Sequence, residues 1–131
     1  MKKKSFEDII KRIKAIRYNP KLDLVIGIGK GGIVPAYLVA RHLCLPLDFI
    51  WINFRNEDNI PSRKHPILIK KYVPKVKGKN ILLVDDVLRT GNTLWEAKQH
   101  LLDAKTVKTF IFNGAGDYSL YNEECFSFPW L

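Results

Sequence analysis

Residues 81–94 run from Ile81 to Leu94 and bring two kinds of chemistry together. Four apolar residues, Ile81, Leu82, Leu83 and Val84, form a run typical of a buried parallel strand. They deliver Asp85 and Asp86 to its carboxyl end, the edge where open α/β sheets bind ligands. Adjacent carboxylates repel, so a partner must neutralise them. Mg²⁺ or the vicinal hydroxyls of a ribose would serve, because both favour carboxylate oxygens. Thr90, Gly91, Asn92 and Thr93 come next, with hydroxyls, a close-approach glycine and the amides of a helix start, where a phosphate is favoured. A capped helix after an acidic turn would require far less than this constellation.

A second turn, Gly29, Lys30, Gly31 and Gly32, joins one apolar run to another. Its amides can face an anion while Lys30 adds a point charge. Glycine at such a turn also serves close strand-to-helix packing, and both readings stand. Residues 53–66 are polar and carry Arg55, Glu57, Asp58, Arg63 and Lys64, which predicts a mobile surface loop of the kind that closes over ligands.

These segments need elements to position them. Ser5 and Asp8 resemble a capping pair, and Phe6, Ile9, Ile10, Ile13 and Ile16 recur on one helical face, predicting a helix over 6–17. Asn19 and Pro20 break it. Buried strands are predicted at 24–28, 47–52, 81–84 and 107–112, with a further strand at 67–73. Helices are predicted at 33–43, where Pro35 falls in the tolerant first turn, and at 93–102. This alternation predicts an α/β fold with a central, mostly parallel twisted sheet flanked by helices. Residues 114–131 are aromatic and irregular and are expected to fold over the sheet edge.

At 131 residues the chain fits one domain, 1–131, with a real core. Its 2 cysteines build no disulfide framework and its 3 histidines show no zinc-site spacing, which suits a reducing, cytoplasmic setting. The apolar stretch 33–47 is interrupted by Arg41 and His42, so no membrane span is expected. The net charge of +9, with Lys70, Lys71, Lys75, Lys77 and Lys79 close together, favours anionic ligands. A solvated lysine-rich surface explains the same run, and nucleic-acid binding is the minor reading.

The 81–94 segment resembles the diphosphate-sugar signature of the type I phosphoribosyltransferases, which bind 5-phosphoribosyl 1-diphosphate. The resemblance implies that Asp85 and Asp86 meet the ribose hydroxyls and Mg²⁺, with Asp86 as the metal contact. It implies that Thr90, Gly91, Asn92 and Thr93 hold the 5-phosphate. Gly29, Lys30, Gly31 and Gly32 then resemble the family's pyrophosphate loop, in which a cis peptide at Gly29–Lys30 is expected. Arg63 resembles the loop residue that reaches the leaving diphosphate.

The tail, ending Phe128, Pro129, Trp130, is similar to the terminal hood of xanthine-guanine phosphoribosyltransferases, which places the chain closest in outline to those purine enzymes. Three base-facing positions depart from that pattern. Arg89 stands before Thr90 where purine enzymes carry a proton-exchanging aspartate, and an arginine is no base at neutral pH. Asn113 replaces a lysine that meets the purine carbonyl. Cys125 falls where a ring stacks on the base, with Phe126 beside it as a substitute. The resemblance implies Mg²⁺-dependent phosphoribosyl transfer to a nucleobase, with a homodimer or larger homo-oligomer expected. A phosphoribosyl diphosphate or nucleotide sensor, with RNA on the lysine-rich face, is the alternative.

Overall fold

A computed structural model describes residues 2–53, 67–68, 72–124 and 126–131. The elements are α1 (Phe6–Ala15), β1 (Leu24–Gly29), α2 (Ile33–Leu43), β2 (Leu47–Asn53), β3 (Ile67–Leu68), β4 (Asn80–Val87), α3 (Asn92–Gln99), β5 (Thr106–Asn113) and β6 (Tyr118–Tyr121). The strands form one six-stranded sheet in the order β3-β2-β1-β4-β5-β6. Every neighbouring pair is parallel except β2 with β3.

Side chains alternate across the central strands, and each set finds its own core. Val25, Leu82, Val84, Phe110 and Phe112 pack with Ile9 and Ile13 of α1, Ala36 and Val39 of α2, and Phe126 and Phe128 of the tail. Leu24, Ile26, Ile28, Ile81 and Leu83 pack with Ala97 of α3 and Leu101 beyond it. The sheet therefore carries α1, α2 and the tail on one face and α3 on the other. From β1 the chain moves outward to β2 and later returns to β4 on the opposite side. The carboxyl ends of β1 and β4 thus flank the switch in strand order, where such sheets open a crevice.

Several boundaries differ from expectation, for local reasons. Ser5 caps α1 by accepting from the Asp8 amide at 3.1 Å. The helix stops at Ala15 because Ile16 is extended and the Tyr18 hydroxyl donates to the Ile13 carbonyl at 2.7 Å. α3 ends at Gln99, and tighter turns to Ala97 and Lys98 bring Leu101 back onto the core. β4 continues past Val84 because β5 offers it a longer ladder, pairing Asp85 with Ile111 and Val87 with Asn113. The acidic pair therefore sits in the strand and not in a loop.

Within the tail, Tyr118–Tyr121 forms a strand on the free edge of β5, and no helix or strand comes after it among the described residues. Of the strand expected at 67–73, only Ile67–Leu68 is assigned among the described residues. The loop expected over 53–66 lies outside them except for Asn53, which ends β2. No helix among the described residues is long and apolar enough to cross a membrane.

Candidate functional site at the β1–β4 switch point

Asp85 and Asp86 lie near the carboxyl end of β4, each facing a different partner. Asp85 shares a cavity of about 240 Å³ with Val87, Leu88, Arg89, Thr90, Gly91 and Thr93 at the start of α3. The Asp86 carboxyl lies against Gly31, where an added Cβ would stand only 2.6 Å from Oδ1. Only glycine lets the β1–α2 turn come this close to the acidic strand end.

The pair is locally tied down. Asp85 Oδ1 accepts from the Asp86 amide at 2.9 Å, and Asp86 Oδ1 accepts from the Val87 amide at 2.8 Å. Burial, and then the neighbouring Asp86 charge, holds the Asp85 carboxyl well above the usual carboxylate range. Ionising both carboxyls here calls for a cation or hydroxyl donors.

The oxygen donors suit Mg²⁺, which takes one or two carboxylates and completes its shell with water and substrate oxygens. No group of three or more His, Cys, Asp or Glu residues is placed to hold a metal among the described residues.

On the α3 side, Gly91 adopts φ 83°, a left-handed conformation that L side chains rarely take. Gly91 itself supplies no side-chain cap to the first-turn amides. Thr90 Oγ1 accepts from the Asn92 amide at 3.2 Å, which curls the turn around those amides. Thr90 and Asn92 are exposed, and Thr93 is half-buried beside Asp85. Hydroxyls, amides and the helix dipole thus converge beside the carboxylates.

The turn after β1 carries the cis peptide expected of it. The Gly29–Lys30 peptide is cis, and Gly32 donates to the Ile28 carbonyl at 2.7 Å. Lys30 is exposed, and neither it nor Arg89 pairs with a carboxylate among the described residues. Trp51, which no sequence motif singles out, packs its ring against Gly29. Its place near the carboxyl end of β2 is legible in the strand pattern, but its contact with Gly29 depends on the parallel register of β1 with β2.

The base-facing positions are placed less simply. Asn113 ends β5 in a buried setting, and its Oδ1 accepts from the Glu123 amide at 3.1 Å. Its carbonyl accepts from the Leu88 amide at 3.1 Å, tying it to the wall of the Asp85 cavity. Phe126 is buried in the core on the α1 face of the sheet, edge-on to Tyr121 at 5.0 Å and to Phe128 at 4.9 Å. Arg63 and Cys125 lie outside the described residues, as do Arg55 and Lys64.

Comparison with known proteins agrees with this geometry. The family described as the phosphoribosyl transferase domain matches residues 2–116. The chain is 34% identical over 109 residues to the transcriptional regulator GfcR 2 of Methanosarcina acetivorans, covering 81% of this chain and 52% of that protein. It is 30% identical over 87 residues to a xanthine-guanine phosphoribosyltransferase of Idiomarina loihiensis, covering 66% of this chain and 53% of that one. The chain spans about half the length of these curated relatives. Its fold superposes on a purine phosphoribosyltransferase from Pyrococcus horikoshii with a TM-score of 0.75 and 26% identity, covering 98% of this chain and 92% of that one. The family match over most of the chain, together with the superposition of the fold, has one meaning: the chain belongs to the phosphoribosyl transferase domain family.

Proposed function

We propose that the chain transfers the 5-phosphoribosyl group of phosphoribosyl diphosphate to a nucleobase, a purine by its structural kinship, releasing diphosphate in cytoplasmic nucleotide salvage. One observation carries this reading: Asp86 meets the Gly31 turn while Asp85 shares a cavity with Thr90, Gly91 and Thr93. Two anion-binding turns and a carboxylate pair at a single sheet edge match a ligand with a phosphate, a diol and a diphosphate.

In this reading the α3 turn takes the 5-phosphate, and Asp85 and Asp86 accept from the ribose hydroxyls. Gly29, Lys30, Gly31 and Gly32 receive the diphosphate, with Arg63 as a further cation for it. The bond from the anomeric carbon to diphosphate oxygen breaks, a bond from that carbon to a ring nitrogen forms, and the proton of that nitrogen leaves to solvent water. Positive charge grows on the sugar and negative charge on the leaving group, so alignment and charge neutralisation lower the barrier. Mg²⁺ held through Asp86 would add Lewis-acid neutralisation of the departing oxygens. Lys30 contributes a fixed positive charge on the same side.

Arg89 favours a second reading. It carries no proton away from a ring nitrogen at neutral pH, and one relative is named a transcriptional regulator. A sensor of phosphoribosyl diphosphate or a nucleotide would keep the phosphate turns and dispense with the proton-exchanging residue. Diphosphate release measured over guanine, xanthine, hypoxanthine, adenine, orotate and uracil, with Mg²⁺ and with chelator, separates the two. Release with at least one base, lost on chelation, is the expected result. Tight phosphoribosyl diphosphate binding without release on any base selects the sensor.

A further inference from the structure

We propose that Lys4 is a positioning residue for the acceptor base, clasping the hood so that Asn113 is held in register with the cavity wall. The inference rests on the proposed transferase function, with the base at the Asn113 end of β5 as the family resemblance implies.

Lys2 and Lys3 are exposed, whereas the Lys4 side chain is only 15% exposed. Drawing an ammonium partly out of water is costly unless it is paired, and this one has several partners. Its Nζ lies 2.8 Å from Glu123 Oε1, 4.5 Å from the Tyr121 ring centroid and 5.0 Å from that of Phe126. Its amide donates to the Ser127 carbonyl at 2.9 Å, and the Ser127 amide donates back to the Lys2 carbonyl at 2.8 Å. The segment before α1 thus lies alongside the hood as a short parallel bridge.

α1 fastens the same point from below. The Arg12 guanidinium lies 4.3 Å from the Tyr121 ring centroid and donates to the Leu120 carbonyl at 3.0 Å. The Tyr121 hydroxyl donates to Asp8. Tyr121 and Phe126 are therefore gripped by cations whose own carboxylates are Asp8 and Glu123.

The clasp has a direct line into the site. Glu123, which holds Lys4 through its carboxylate, donates its backbone amide to Asn113 Oδ1. Asn113 in turn accepts from Leu88, whose neighbour Arg89 lines the Asp85 cavity. Moving Glu123 would release the Asn113 amide and change which group that end of β5 presents. An apolar residue at position 4 would fill the space between the rings without fixing Glu123. The charge is what sets the position.

The test uses the full chain with Lys4→Met, Lys4→Arg and Glu123→Gln, the last at a carboxylate exposed enough for its loss to leave the fold intact. Steady-state KM for the base and for phosphoribosyl diphosphate is measured with kcat and Tm for each. Lys4→Met and Glu123→Gln should raise the base KM by about 5- to 10-fold, the misplacement penalty of a loosened contact, with the phosphoribosyl diphosphate KM within about 2-fold. Lys4→Arg should restore the base KM.

An unchanged base KM, or equal rises in both KM values, overturns the clasp and leaves Lys4 a stability residue only. Should wild type transfer to no base, the transferase reading fails, and the clasp is then read by titration with phosphoribosyl diphosphate and with GMP. Selective weakening of GMP by both variants supports it, and parallel affinities overturn it. Wild type that binds neither ligand overturns both.

Discussion

Asp85 illustrates how a site residue works against the fold that holds it. Its carboxyl is raised by burial and by Asp86, so the folded chain favours its neutral form more than the unfolded chain does. The stability this group contributes is fully present below the ordinary carboxylate pKa and is lost as pH rises toward the raised folded value. At neutral pH the ionisation of Asp85 therefore opposes folding, and Asp85→Asn should raise Tm in metal-free buffer. The rise is a few degrees, since about 1 kcal/mol moves Tm by roughly 4 °C in a domain this size. The gap should close as pH falls below about 4, where the wild-type group becomes neutral in both states. A Tm that drops, or a gap that widens in acid, would contradict the burial account. The same substitution should cost transfer activity. Asp86→Ala and Lys30→Ala should lower kcat/KM by about 10²-fold or more with Tm nearly unchanged, because each acts on charge that develops during the reaction. Near-normal turnover in both variants would count against the site.

At the scale of elements, the β1–α2 turn and the end of β4 are a matched pair, and Gly31 is their point of contact. A methyl group there would press on the Asp86 carboxyl, the movable end of a side chain, more than on backbone. Gly31→Ala should therefore leave Tm within about 2 °C while weakening phosphoribosyl diphosphate binding by about 10-fold, some 1.4 kcal/mol. Calorimetric titration beside a thermal melt reads both, and a collapse in Tm with intact affinity would reverse the assignment. These two elements were also the most legible in sequence. Leu24 to Ile28 and Ile81 to Val84 are continuous apolar runs, and each gives way to a turn marked by glycine, with Pro35 just beyond the first. Three other features were hidden for a common reason. The Tyr118–Tyr121 strand, the inward turn of Lys4 and the burial of Phe126 all depend on partners far along the chain. Tyr118 pairs with Phe110 across a sheet edge, and Lys4 meets Glu123 only once α1 has packed under the hood. No local period announces such contacts. The extension of β4 through Asp85 and Asp86 is of the same kind, since the length of β5 decided it.

For the molecule as a whole, the +9 charge is an ordinary count until the structure distributes it. Lys4 is spent inside the hood, whereas Lys75, Lys77 and Lys79 stand exposed on the approach to β4. That exposed set offers point charges, and Lys75 and Lys77 line an open cavity of about 500 Å³ with Gln99, His100 and Asp103. Any affinity for nucleic acid should then be phosphate-driven and sequence-blind. Fluorescence anisotropy with duplexes of unrelated sequence should give equal affinities. These should fall steeply with salt, by on the order of 10³-fold between about 50 and about 200 mM if six phosphates are contacted. Phosphoribosyl diphosphate should leave the curve unchanged, because its proposed site lies at the carboxyl ends of β1 and β4 and the lysines precede β4. Binding that survives salt, prefers one sequence and responds to phosphoribosyl diphosphate would require a built interface coupled to the site. That outcome would move the chain from the transferase reading to the sensor, since coupling between two ligands demands that each bias the same conformational equilibrium.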